Sequence, residues 1–232
     1  NNQQWFWSRK LDGVRVIARK ENGVVKFFSR QGHEFTTLGI IKQELEGIIE
    51  DNFVLDGEMC VVDNNGNEDY TSIVSQIKRK DYTVQNPKFM VFDILRLDEF
   101  DNQYAEATLS ERLWQKEAIF NNCKHISLLK MNVVNTHEQV VELSNQASKD
   151  GWEGIMIRRD CHYEGKRTKN LLKVKKFHDA EYIVKDVEFG SFRMIDPKSG
   201  LEKTIETLTN VMIEHKGNKV SVGSGFSLEQ RQ

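Results

Sequence analysis

The chain has 232 residues, 38% of them hydrophobic and 29% charged, with a formal net charge of −2. That is an ordinary globular composition, long enough for one large domain or a medium domain followed by a small one. No apolar run approaches the roughly 18 residues of a membrane helix, and the polar, aromatic start (Asn1 to Trp7) does not read as a signal peptide. Cys60, Cys123 and Cys161 are scattered without a CxxC pair. This argues against a zinc centre or a disulfide framework and for a reducing compartment, the cytoplasm or a nucleus.

Val14 to Lys20 and Val24 to Arg30 are β-branched runs joined through Glu21-Asn22-Gly23, which predicts a hairpin. Apolar residues at helical spacing predict a helix over Leu38 to Ile49. Phe53 to Val62 reads as a strand, Tyr70 to Lys80 as a helix and Phe89 to Leu95 as a buried strand. Thr108 with Glu111 and Thr136 with Gln139 have capping-box spacing. They predict helices to about Asn121 and to about Gly151, with strands at Gly154 to Arg159 and Leu171 to Lys176. From about Asp179 the pattern turns to strands and turns: Tyr182 to Phe189, Glu202 to Glu214 and Lys219 to Val222. The expected class is α+β, with one domain over residues 1–178 and a small β-barrel-like domain over 179–232.

The residues between Arg158 and Phe177 are rich in lysine and arginine, whereas Glu44 to Asp69 is acidic. A basic stretch can meet phosphates, but most such stretches are solvated faces. More specific is Lys10-Leu11-Asp12-Gly13-Val14-Arg15, placed where the apolar strand Trp5 to Trp7 meets the first hairpin. A lysine amine attacks phosphorus only once it is neutral, which requires burial, a neighbouring cation or a metal. Gly13 permits a sharp backbone turn beside a ligand, and Arg15 carries a fork suited to phosphate. Alone, the pattern is equally a DG turn between exposed charges.

Further segments follow in order: Phe28-Ser29-Arg30-Gln31-Gly32, Leu55-Asp56-Gly57-Glu58, Val91-Phe92-Asp93, Glu153-Gly154-Ile155-Met156-Ile157-Arg158 and Leu172-Lys173-Val174-Lys175. Together with Lys10 to Arg15 they resemble the motifs of the covalent nucleotidyltransferases, the family of ATP-dependent DNA ligases, RNA ligases and mRNA capping enzymes. The resemblance implies a nucleotidyltransferase (adenylation) domain followed by an OB-fold. It implies Lys10 as the AMP-bearing nucleophile, Arg30 on the nucleotide sugar and nick phosphate, and Glu58 on the ribose or the metal. It further implies Phe92 stacked on the purine, Glu153 as a metal ligand, and Lys173 and Lys175 on the α-phosphate. Glu58 and Glu153 could converge on a hard cation such as Mg²⁺. Lys173 and Lys175, two apart in a strand, share one face. Ser8 falls where members of the family contact the adenine edge.

The implied activity is sealing of nicks in duplex DNA by a monomer that uses ATP and Mg²⁺. An RNA ligase and a GTP-using capping enzyme are the alternatives; the Glu153 to Arg158 segment looks like the DNA-ligase form. The sequence departs from the pattern in three places: Ser8, a serine that discriminates purines less visibly than glutamate would; Arg9, which stands where many members carry an acidic, small or aromatic residue; and the second domain. The basic R-x-D-K pattern expected near the end of the OB-fold does not appear, so that domain is expected to be incomplete.

Overall fold

A computed structural model describes residues 4–63, 67–114, 117–175, 180–196 and 199–232. The chain divides into two compact units, Asn1–Lys176 and Phe177–Gln232. The expected boundary at residue 178 lies outside the described residues.

In the first unit, β1 (Trp5–Arg9) leads into β2 (Val14–Glu21) and β3 (Val24–Phe28). Asn22 and Gly23 both take positive φ (51° and 77°), the two-residue turn the sequence predicts. β4 (Glu34–Phe35), α1 (Gly39–Glu46), β5 (Phe53–Val61), α2 (Tyr70–Ile77) and β6 (Pro87–Arg96) follow. Then come α3 (Leu97–Asp101), β7 (Tyr104–Ala105), α4 (Leu109–Trp114), a 3₁₀ turn (Glu117–Phe120), β8 (Ile126–Leu128) and β9 (Asn132–Val134). α5 (His137–Lys149), β10 (Ile155–Arg159), β11 (Tyr163–Glu164) and β12 (Leu171–Val174) complete it.

Two sheets frame this unit. The larger has the order β4-β3-β2-β5-β6-β8 and the smaller β12-β10-β1-β9. Beneath the larger sheet lies the main core, where Val16, Phe27, Leu55, Met59, Phe89 and Val91 pack on Ile41 and Leu45 of α1 and Ile73 and Ile77 of α2. Alternation along β5 and β6 leaves Glu58 and Phe92 on the sheet's opposite face. The smaller sheet packs Ile155, Ile157, Val134 and Val174 against Ala147, Val140 and Leu143 of α5. By the same alternation Ser8, Met156, Arg158 and Lys173 share its other face, with Ser8 opposite Met156 and Met156 opposite Lys173.

The sequence-predicted helix after Thr108 is shorter than expected, α4 giving way to the 3₁₀ turn. α5 keeps its predicted capping box, with Thr136 and Gln139 exchanging side-chain to backbone bonds. Gly151 follows it at φ 72°.

The second unit is a three-stranded antiparallel sheet, β13 (Asp186–Ile195), β14 (Glu202–His215) and β15 (Asn218–Val222), closed by α6 (Leu228–Arg231). β13 begins later than the sequence pattern suggests. Its ladder on β14 opens at Asp186 opposite Met212, and beyond Met212 the last residues of β14 pair with β15. The apolar run Tyr182 to Val184 precedes this ladder and is exposed, with the Tyr182 hydroxyl 2.6 Å from Nδ1 of His215.

Candidate active site

Lys10 stands immediately after β1, its backbone N–H donating to the Gly154 carbonyl at 2.9 Å. Its ammonium is ion-paired to Glu153, whose other oxygen lies 3.8 Å from the Lys175 ammonium. Nucleophile, candidate metal ligand and candidate phosphate ligand are thus one charged cluster. It is assembled from β1, the turn before β10 and the end of β12.

Glycines make this approach possible. Gly154 sits at φ 152°, and a Cβ there would lie 2.3 Å from the Val174 carbonyl. A Cβ on Gly57 would meet the Met90 carbonyl at 2.7 Å, and one on Gly13 the Met59 carbonyl at 2.5 Å. Three of the motif glycines are therefore dictated by backbone running against backbone.

Glu58 projects from β5 opposite Arg15 of β2. Burial pushes its carboxyl up to about 7; the Lys10 charge counters this, and Asp56 and Glu153 reinforce it. Arg15 is gripped by buried Asp56 through two bonds, 2.8 Å and 2.5 Å. This leaves its guanidinium half-exposed and 6.0 Å from the Phe92 ring centre.

Phe92 also meets Arg158, whose guanidinium lies 4.8 Å from the ring centre. Burial lowers the pKa of Arg158 to about 10, against the pull of Asp93 and Asp56. Arg158 donates to the hydroxyl of Ser8 at 2.9 Å, and Ser8 is itself 1% exposed. The Ser8 side chain expected at an adenine edge is thus already engaged inside the protein. Asp93 is fixed by Arg112 through bonds of 2.7 Å and 2.8 Å.

Lys173 is exposed on the cleft face of β12. Arg30 is exposed in the turn after β3. Among the described residues neither makes an ion pair with Lys10 or Glu153. Sequence reasoning assigned no role to Met156, Arg158, Asp56 or Arg112. The first two carried a signal: in a strand whose Ile155 and Ile157 face the core, Met156 and Arg158 must face the cleft.

A cavity of about 380 Å³ lies beside Arg9, Glu68 and Trp152 and is not lined by Lys10. Among the described residues no three His, Cys, Asp or Glu side chains converge as a metal cage. Mg²⁺ commonly keeps waters and takes one or two carboxylates together with substrate phosphates. Glu153 and Glu58 fit that mode of binding.

The model of the ATP dependent DNA ligase domain matches residues 1–175. The chain belongs to the ATP-dependent DNA ligase family. It is 25% identical to the SPbeta prophage-derived DNA ligase-like protein LigB of Bacillus subtilis, over 82% of this chain and 69% of that protein. It is 26% identical to a DNA ligase of Methanosphaera stadtmanae, over 84% of this chain but 39% of that one. A solved structure described as Pmar-Lig_Pre. superposes with a TM-score of 0.79 at 29% identity, covering 99% of this chain and 54% of its own. The chain thus spans about half, or less, of several family members it resembles. The fold is the mixed α/β adenylation domain with an OB-like β unit that these ligases share. No helix among the described residues is long and apolar enough to cross a membrane.

Proposed function

We propose that the chain seals nicks in duplex DNA by way of AMP carried on Lys10. The observation that carries this reading is the contact of the Lys10 ammonium with Glu153, flanked by Lys175. The convergence of an amine, a carboxylate and a second ammonium at one point supports the reading, in a fold of the ATP-dependent DNA ligase family.

In the first step the Lys10 nitrogen, having released its proton, attacks the α-phosphorus of ATP. The N–P bond forms as the bond to the bridging oxygen breaks, and pyrophosphate leaves. Glu153 holds the amine in place and is the acceptor nearest its proton. Lys173 and Lys175 face the phosphoryl oxygens on which negative charge develops, the arrangement that stabilises such transition states most. Phe92 supplies an aromatic face for the base, and Arg15, held by Asp56, presents its exposed donors to a phosphate. Mg²⁺, held by Glu153 and Glu58 with phosphate oxygens, would neutralise charge on the transferring group. AMP then passes to the 5′-phosphate of the nick, and the 3′-hydroxyl displaces it to close the strand. Dividing one hard displacement into easier ones is what the covalent intermediate achieves.

The test is transfer of label from ATP carrying a radioactive α-phosphate, with GTP labelled in the same position beside it. Acid-labile label from ATP, absent in Lys10→Ala, is the expected result. Label from GTP alone would indicate capping chemistry instead.

A further inference from the structure

Arg9 is where the sequence departs from the resembled motif, and the functional reading makes no use of it. In β1 it points to the opposite face from Ser8, on the side of the sheet where Trp152 packs. Its guanidinium stacks on the Trp152 ring, 5.0 Å from the centre, and is ion-paired to Glu68. The Arg9 Nε is buried without a hydrogen-bond partner, a cost that a purely decorative surface arginine would not carry.

The three residues hold particular places in the fold. Arg9 immediately precedes Lys10, and Trp152 immediately precedes Glu153. Glu68 belongs to the other sheet: it bridges to Val62 at the end of β5, and the next residue, Asp69, donates to the Val61 carbonyl at 2.9 Å. β5 is the strand that carries Glu58. The Arg9 contacts therefore join the sheet bearing Lys10 and Glu153 to the sheet bearing Glu58, beside a cavity that Cys60 and Met90 of the larger sheet also line.

We infer that Arg9, Trp152 and Glu68 form a clamp that positions Lys10 and Glu153 against Glu58 for attack on the nucleotide. Arg9 and Glu68 are positioning residues and touch no substrate. The inference rests on the lysyl-adenylate reading given above. Orientation of reacting groups is steeply distance-dependent, a displacement of about 1 Å costing on the order of 100-fold. A clamp that is partly exposed, with Arg9 31% and Glu68 10% accessible, should account for a fraction of that.

The experiment uses the full chain with Arg9→Met, Glu68→Gln, the double variant and Arg9→Lys. Single-turnover loading of AMP from ATP is measured as a function of ATP concentration. Closure of a nick that already carries 5′-AMP is measured beside it, because Lys10 is not the nucleophile in that step. The expected result is about a 10-fold fall in the maximal loading rate for Arg9→Met and for Glu68→Gln, consistent with a fraction of the orientation effect. The KM for ATP and the closure of the adenylated nick should stay unchanged. The double variant should lose no more than the worse single one, and Arg9→Lys should keep most of the rate. Loading at the wild-type rate in Arg9→Met overturns the clamp. So does a parallel loss of loading, nick closure and melting temperature, which would make the contact one of folding alone. A wild-type chain that takes up no AMP refutes the ligase reading, whereas equal loading by wild type and variants refutes the clamp only.

Discussion

Lys10 and Glu153, 143 positions apart in the chain, are joined side chain to side chain while the Lys10 N–H is bonded to the carbonyl of the residue after Glu153. Backbone and side chain together thus fix the amine against the carboxylate. Glu153→Gln keeps the shape but removes the charge that holds the amine and would help hold a metal. Loading of AMP should fall at least ~100-fold, the scale of losing a preorganised electrostatic group. The melting temperature should move little, because the Glu153 side chain is 31% exposed and its recorded partners are the ammonium groups of Lys10 and Lys175. A variant that melts much earlier yet loads normally per folded molecule would show Glu153 to be structural.

Gly154 gives a prediction about stability. Alanine there would combine φ 152° with a Cβ 2.3 Å from the Val174 carbonyl. The β10–β12 ladder would have to part, at a cost of about 2 kcal/mol or more by analogy with overpacked or strained sites. Denaturant unfolding should report the loss. Loading should also drop, because Lys175 would move away from Glu153. A variant as stable as the parent would mean that the turn before β10 is softer than its geometry indicates.

The raised carboxyl of Glu58 predicts a pH dependence. An unfolded glutamate titrates near 4.3, whereas burial moves Glu58 to about 7 in the fold. Between those values the folded state binds more protons, so stability declines as pH rises through that window. Glu58→Gln should therefore be more stable than the parent at pH 8, by up to about 3 kcal/mol. The advantage should vanish near pH 4. Unfolding in the presence of a chelator, so that no cation masks the effect, is the measurement. A difference independent of pH would remove Glu58 from this role.

Phe92 predicts a different signature. Its ring is half-buried, with the Arg158 guanidinium 4.8 Å and the Arg15 guanidinium 6.0 Å from its centre. Stacking of a base on an aromatic ring is worth about 1–3 kcal/mol. Phe92→Ala should accordingly raise the KM for ATP by roughly 5- to 150-fold, with a smaller effect on the maximal loading rate. An unchanged KM would place the base elsewhere.

The legible parts of this molecule are those written in local chemistry. Asn22-Gly23 gave the hairpin, Thr136 with Gln139 the start of α5, and Gly151 its end. Strand alternation placed Lys173 on the cleft face, and the motif glycines mark where backbones touch. What could not be read were partnerships between charges far apart in the chain. Arg112 in α4 looks like a surface arginine until β6 brings Asp93 to it, and Arg158 reaches Ser8 across 150 positions. β8 and β9, three residues each, are too short for periodicity to register. Tyr182 to Val184 carry the apolar, β-branched pattern of a strand yet lie outside the ladder, which β13 joins only at Asp186.

The second unit poses the question of what holds it together. Its buried residues, among those described, are Thr207 and Arg231, with no buried aliphatic side chain beside them. Arg231 donates to the carbonyls of Leu208 and Gly223 at 2.8 Å each, and to that of Thr209 at 3.3 Å. Its guanidinium lies 4.5 Å from the Phe192 ring centre and 5.5 Å from that of Phe226. The Thr207 hydroxyl donates to the carbonyl of Arg231 itself. One arginine therefore ties β13, β14, the segment after β15 and α6 together. Arg231→Met keeps much of the apolar stem but strands three carbonyls, each worth about 1 kcal/mol or more. The unit should lose about 3 kcal/mol, enough to unfold a small sheet without an apolar core. Hydrogen exchange resolved by segment is the measurement: protection should collapse in β14 and β15 and persist in β2, β5 and β6. Retained protection in β14 would mean that the exposed faces of the sheet, and not Arg231, hold this unit together.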